Sequence, residues 1–585
     1  MKYYFIDWLE TSFEWGQSMK KLIAASIICI LIPSSAFGYN APKGIPNPSN
    51  YFSNFGEIDQ ATPNPATKCP NWPSAATASC YYVDKTSGAA TDSANTYGYP
   101  SKPRLTIPDL SGLAAGSFVY VHAGTYTQTL TINGNGTASN PIWFTGNPSA
   151  RPTLDRAVQV GLGANASYIV VENFNLTGAY GFVDIRPATS GITIRNIILR
   201  YLNFTGTQAE TDPGPIMLGA NYNGSSTSYI VAYKNTMADY GNKNPDASQD
   251  VCGIYASEYT SYIWALENTI SGMGADGIAG CHNCVPGNQP QYYFIGKNTI
   301  YGGGENCIDL KGVQNFIISE NICYGPFARE QGWGIVIHVK DGTQNDPLNG
   351  WIIFNKLYHL SSAIAFTTGL NHDMYVVGNL IYDIHASYAA QADPAYNGRG
   401  VLAAGVSGNL WIVDNTFYNY DEGITVSSNL SGTDSVKIHG NILAGRTDTT
   451  KYEVNITTNA AQAYVQMKYN LFYGPSGTSS FYWAGATRNF FNIDCANCKD
   501  ARSPLFVAAP ANLQLQATSP ARDASVEGPI GGTTVYNTFF NTWGMSIKKD
   551  YTGNSRPQGS AWDIGAYEYP ASGAPLSPPA NFRTQ

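Results

Sequence analysis

The chain has 585 residues, of which 59 are Gly and 40 are Tyr; only 13% are charged, and the formal net charge is -8. This mix disfavours long helices and favours short strands joined by turns. The acidic balance excludes a nucleic-acid binder, which needs a basic face. It leaves room for an acidic polysaccharide, held by a few lining cations or a bridging metal.

In chain order, residues 1–38 read as an upstream extension followed by an export signal. The stretch MKKLIAASIICILIPSSAFG starts at Met19 with two lysines, continues through an apolar core and ends in small residues near Gly38. That apolar run is short for a membrane span, and nothing later is long enough. The expected product is therefore an exported protein, secreted or held in the periplasm or at the cell surface, monomeric and without a membrane span.

Residues 39–104 form an N-terminal segment and cap. Ten cysteines include Cys29 in the signal. In an oxidising compartment Cys69 with Cys80, Cys281 with Cys284 (CHNC) and Cys495 with Cys498 (CANC) are expected as disulfides. The two CxxC pairs lie more than 200 residues apart, which with export disfavours a shared zinc. Cys252, Cys307 and Cys323 are expected as buried thiols.

From about residue 105 to 490 one phrase recurs: a short β-rich run, an Asn, then one or two apolar residues. It places Asn at 173, 196, 235, 268, 298, 321, 355, 379, 415, 441 and 470, with spacings from 23 (Asn298 to Asn321) to 39 (Asn196 to Asn235). Repeats of this length, each with about three short strands, describe an all-β, single-stranded parallel β-helix in which Asn side chains stack from turn to turn. Variable spacing then comes from loops of different length at one corner. Residues 491–569 read as a closing segment and 570–585 as a Pro-rich tail.

Within this repeat, Glu305, Asp309 and Lys311 fall in seven positions of a charge-poor chain. Side chains alternate along a strand, so with Ile308 and Leu310 inward, Asp309 and Lys311 point outward. In the next rung Ile337 and Val339 are expected inward, with His338 and Lys340 outward one strand spacing away, about 4.8 Å. Neighbouring rungs offer Tyr255, Ala279, Ala365 and Thr367 in these columns, and Asp276 lies at the edge of the rung before. Exposed cross-strand ion pairs alone would be worth only a fraction of a kcal/mol. The shortage of charge elsewhere on this face favours a site.

The ladder resembles the right-handed parallel β-helix proteins of the pectate-lyase superfamily. GSFVYVHAGTY is similar to a first rung, and DYTGNSRPQGSAWDIGAYEY to a closing segment. GADGIAG (274–280) followed by ENCIDL (305–310) resembles the calcium-binding pattern of family 9 polysaccharide lyases, where ADGF in one turn is followed by DDGWDL in the next. The resemblance implies a right-handed β-helix and Ca²⁺ held by Asp276, Glu305, Asn306 and Asp309, oxygen donors as a hard cation requires. Glu and Asn here replace a pair of Asp. The family's lysine base, often within NGFKLG, lies in the following rung. Here that rung reads GIVIHVKDG, with His338 in the lysine's column and Lys340 two residues on.

The activity so implied is calcium-assisted β-elimination from a uronic-acid polymer, an acidic polysaccharide. A lysine base must be neutral, so its pKa must fall from about 10.4; Ca²⁺ and a second lysine push that way. Lys340 beside Lys311 offers such a pair, and His338 offers an imidazole base instead. Arg329, in FAREQGWG, is placed to hold a substrate carboxylate in a forked contact, and Trp333 and Tyr255 to stack on sugar rings or to pack. Two other readings use the same scaffold. Asp276, Asp309 and Asp341 can serve a glycoside hydrolase or a uronate epimerase, although the NTD, DD, GHG and RIK set of β-helix polygalacturonases is missing. A non-catalytic carbohydrate-binding or adhesin β-helix is the third.

Overall fold

Strands of two to eight residues, rich in Ile, Val and Tyr, pair with their counterparts one turn later rather than with their sequence neighbours. The result is three long sheets of 15, 14 and 13 strands, each collecting essentially every third strand of the chain. Thr260–Leu266, Gln291–Gly296 and Gln314–Ser319 are successive members of the first sheet; Ile278–Gly280, Ile308–Lys311 and Trp333–His338 of the second; Thr269–Ser271, Thr299–Tyr301 and Ile322–Tyr324 of the third. Pairing is parallel throughout the three sheets, except for the hairpin of Phe481–Trp483 with Ala486–Arg488 that ends the second. This is a parallel β-helix. The computed structural model describes residues 39–51, 58–72, 74–209, 214–219, 222–244, 250–281, 284–330, 332–339, 346–369, 371–391, 393, 396–458, 462–483, 485–530 and 533–570. The expected export signal and most of the Pro-rich tail lie outside them.

Inward residues of all three sheets form one continuous apolar core from Val83 to Phe481, including Ile278, Ile308, Leu310, Ile335 and Ile337. At the corner between the first and third sheets the chain turns through a residue of positive φ (Lys234, Glu267, Lys297 and Glu320 at 51–58°) and then an asparagine. Asn268 shows why asparagine suits the turn. Its Nδ2 donates to Asn298 Oδ1 (2.9 Å) and to the Ala232 carbonyl (2.9 Å), and its backbone N–H also donates to Asn298 Oδ1 (2.9 Å). The same amide-to-amide bonds continue from Asn235 through Asn268, Asn298, Asn321, Asn355, Asn379, Asn415, Asn441 and Asn470. Each of these side chains is buried and bonded at both ends, which is the condition for keeping a polar group in a core.

Two of the expected asparagines stand elsewhere. Asn173 is the positive-φ residue (63°) one place before the turn, where the ladder position itself is filled by Phe174 and, a turn later, by Leu202. Asn196 (φ 57°) interrupts the Thr193–Arg200 strand, level with Tyr229 and Tyr262 of the following turns. The disulfides Cys69–Cys80, Cys281–Cys284 and Cys495–Cys498 are present. Cys307 and Cys323, expected as thiols, form a fourth, and Cys252 is a buried thiol outside these disulfides.

Both flanking segments pack on the first and third sheets. Near the N-terminus, the Pro46 carbonyl accepts from Trp264 Nε1 (2.9 Å), and Lys43 pairs with Glu320 (3.1 Å) and donates to the Tyr551 carbonyl (2.5 Å). The helix Val535–Trp543, capped by Thr534 and ended by Gly544 at φ 69°, sets Phe539 against Trp351 and sends the Tyr536 hydroxyl to Asp414 (2.6 Å). The chain then returns to the ladder corner, where Gly565 donates to the Gly440 carbonyl. Among the described residues no helix is long and apolar enough to cross a membrane.

Candidate functional site: a carboxylate cluster on the second sheet

The second sheet pairs Ile308 with Ile335, Asp309 with Val336, Leu310 with Ile337 and Lys311 with His338. Ile308, Leu310 and Ile337 are inward, as alternation requires. The expected register of the next rung, however, is corrected by two residues. His338 neighbours Lys311, and Val336 neighbours Asp309. The cause is local: Trp333 N–H donates to Asn306 Oδ1 (3.2 Å) and the Trp333 carbonyl accepts from Cys307 N–H (3.1 Å), so pairing starts at Trp333. Tyr255, Ala279 and Ala365 do share the column of Asp309. Lys340, expected beside Lys311, lies outside the described residues, as does Asp341.

Asp309 is 3% exposed and is held from two sides. Its Oδ2 accepts from Lys311 Nζ at 2.7 Å, and its Oδ1 is 2.9 Å from His338 Nε2. The other imidazole nitrogen, Nδ1, lies 3.4 Å from Thr368 Oγ1. Burial works against the charge on Lys311, but Asp309 and Asp276 outweigh it and raise its pKa above the ordinary lysine value. The lowered pKa that a lysine base needs is therefore not found at Lys311. The physical reason is that two carboxylates, Asp309 and Asp276, act on its ammonium group.

At the edge of the same rungs, Asp276 is fully buried; its Oδ1 accepts from Asn306 Nδ2 (2.9 Å), and Cys252 Sγ lies 3.8 Å from its Oδ2. Glu305 pairs with Arg329 (3.1 Å), and Arg329 reaches Asp250 as well (3.2 Å). Burial and the nearby Asp276 push the Glu305 carboxyl well up, and Arg329 offsets this only in part. Arg329, expected to grip a substrate carboxylate, is 6% exposed and spends its guanidinium on these two acids.

Whether the four expected calcium ligands suit a metal can be judged from where their oxygens point. A calcium ion takes about six to eight oxygen donors. Here Asp309 faces an ammonium group and an imidazole, Glu305 a guanidinium group, and Asn306 turns its NH₂ group, not its oxygen, toward Asp276. Among the described residues, no group of three or more His, Cys, Asp or Glu side chains is arranged to hold a metal ion. The set does not fit calcium.

Trp333 is buried among Val336, Ala365 and Leu402, and its Nε1 donates to Asn397 Oδ1 (3.0 Å). Tyr255 packs on Cys252, Ala275 and Ala279. Trp333 serves as packing here rather than as an open stacking surface, whereas Tyr255 is half-buried. Sequence reasoning passed over Asp250, Thr368 and Asn397, which lie in loops and belong to no repeating column.

It also passed over a second charged column, on the third sheet. His359 Nδ1 meets Asp383 (2.9 Å), His385 meets Asp383 (3.3 Å) and Asp421 (2.8 Å), and the Tyr388 hydroxyl donates to Asp383 (3.0 Å). Bonds to Asp383 and then to Asp421 raise the His385 pKa to about 9. Burial alone would push Asp383 up, but bonds from His385, His359 and Tyr388 hold it down at about 2. A signal was available: His359 and Asp383 each fall four residues after a ladder asparagine, and His385 and Asp421 six after.

No protein-family model matches the chain, and no curated protein matches it. Among solved structures it is similar to pectate lyase Pel9A, at 12% identity and a TM-score of 0.34, covering 84% of this chain and 96% of that one. It is also similar to a GH136 lacto-N-biosidase from Eubacterium ramulus (12%, TM-score 0.39, 61% and 67%) and to a rhamnogalacturonan lyase (14%, TM-score 0.31, 80% and 99%). At such identities the likeness concerns the fold.

Proposed function

We propose that the protein is a polysaccharide lyase that cleaves a uronic-acid polymer by β-elimination on the outward face of the second sheet. The observation that carries this reading is Asp309 clamped between Lys311 Nζ and His338 Nε2 on the second sheet. A carboxylate bonded to one imidazole nitrogen fixes the ring and leaves the other nitrogen to act as a base.

In this scheme His338 Nδ1 takes the C5 proton of a uronate residue. The electron pair left at C5 forms the C4=C5 double bond, and the C4–O4 glycosidic bond breaks. The departing oxygen receives the proton back from the imidazolium or from water. Lys311, charged, sits where it can attract the uronate carboxylate and favour loss of the neighbouring proton. No step passes through calcium. Lys340 is the competing base, and Arg329 holds Glu305 and Asp250 in place.

The test is a screen of uronate polymers for the ultraviolet absorbance of the unsaturated product, with wild type, His338→Ala and Lys311→Ala. Product from wild type and none from His338→Ala supports the scheme. New reducing ends without that absorbance would replace it with hydrolysis, and turnover that survives in His338→Ala would move the base elsewhere.

A further inference from the structure

We infer that the carboxylate pocket formed by Asp276, Glu305 and Asp309 is a cation site filled by the protein's own side chains, Lys311 and Arg329, and that it takes no divalent metal. Each of these carboxylates already has a donor. Asp309 accepts from Lys311 (2.7 Å) and faces His338 (2.9 Å); Glu305 faces Arg329 (3.1 Å); Asp276 accepts from Asn306 Nδ2 (2.9 Å). The side chains of Lys311 and Arg329 are only 14% and 8% exposed, so they are built into the rungs rather than laid over them.

A doubly charged ion bound among these acids would have to displace both cations, since like charges a few ångströms apart repel strongly where water is scarce. It would also have to turn Asn306 so that its oxygen faced the ion. That oxygen already accepts from Trp333 N–H, the contact that starts the pairing of Trp333–His338 with Ile308–Lys311. A metal would therefore work against the register of the sheet. Side-chain cations fill the same electrostatic role without that cost, and they are present before any substrate arrives.

The inference does not depend on turnover, so its test is separable from the lyase assay. The full chain, Lys311→Ala and Arg329→Gln are compared by thermal melting and calorimetric titration in millimolar CaCl₂ and in chelator. Wild type is expected to melt at the same temperature in both and to show no binding heat. Lys311→Ala, with the Asp309 carboxylate uncovered, is expected to gain calcium binding and a rise in Tm of roughly 2 °C or more. If Lys311→Ala does not fold, Arg329→Gln carries the same expectation at Glu305. One calcium bound by wild type, with a matching rise in Tm, overturns the inference. Wild type and the folded variants all indifferent to calcium would overturn the assignment of these two side chains as the occupants.

Discussion

At the corner after the first sheet, Asn298 and Asn321 repeat the same side chain, turn after turn, and satisfy each other. At the same level of the solenoid, on the outward face of the second sheet, Asp309 sits between Ala279 and Val336, and its partners are an ammonium group and an imidazole. Asn298 and Asp309 are both buried and polar, yet one belongs to a uniform column and the other is unlike its neighbours above and below. A uniform polar column lets each rung position the next, which is a task of architecture. A break in the column places unlike groups against one another on a rigid frame, and that is what acid–base chemistry requires.

Substitutions can break this contrast, and the largest effect is expected at the unlike column. His338→Ala should lower turnover by about 10²–10⁴-fold while leaving the melting temperature within a degree or two of wild type, read by product absorbance alongside calorimetry. In the uniform column the loss should fall on stability instead. Asn298→Leu removes the acceptor of the Asn268 backbone N–H and of one of its Nδ2 hydrogens, and a donor to the Ala265 carbonyl, and should cost about 1–3 kcal/mol in denaturant unfolding. A retained stability there would mean that the amide chain is decoration.

The third-sheet column gives an intermediate case that depends on pH. His385 has a folded pKa of about 9, above the ordinary imidazole value of about 6.5. Its contribution is therefore complete below pH 6.5 and disappears as pH rises through 9. Asp383, held at about 2, contributes above the ordinary aspartate value and loses that contribution as pH falls toward 2. Thermal melts of wild type and His385→Gln should differ by about 1–2 kcal/mol near pH 5, allowing for solvent screening, and converge above pH 9. A constant gap from pH 5 to 10 would show that packing, not charge, is what His385 supplies. The smallest effect is expected at a half-buried imitation of the ladder, where Asn349 Nδ2 donates to Asn315 Oδ1 (3.0 Å) on the first sheet. Asn349→Ser should cost about 1 kcal/mol, because water can replace Asn315 but the buried Trp351 Nε1 also loses its acceptor, Asn349 Oδ1 (3.0 Å).

The β-helix and most of its ladder were legible in the sequence because stacking the same corner repeatedly needs the same residue at a steady offset. Asn173 and Asn196 misled for a related reason. Asparagine also tolerates positive φ, and both stand at such positions outside the ladder. The two-residue error at His338 arose in the loop before Trp333, where contacts from Asn306 and Cys307, not the apolar pattern, choose the first paired residue. Asp309, Lys311 and His338 could be brought together from alternation alone. Their partners could not be deduced that way, since the donors that satisfy Glu305 and Asp276 come from Arg329 in a loop and from an amide whose orientation no spacing encodes. The Cys307–Cys323 bond was hidden because Cys307 precedes the Ile308–Lys311 strand and Cys323 lies within Ile322–Tyr324, so they form no CxxC pair.

A stack of rungs in which each touches only its neighbours would unzip from either end, like a one-dimensional chain of weakly coupled units. The contacts of Lys43 remove that freedom. Its bond to Tyr551 joins residues 508 apart in sequence, and the Trp264 bond to Pro46 spans 218. The first residues of the folded unit thus lie across its middle rungs and meet the last segment there, so fraying at one end must wait for release of the other. Melting should accordingly be a single cooperative event rather than a travelling front, with the Lys43–Tyr551 contact acting as a clasp across the middle rungs.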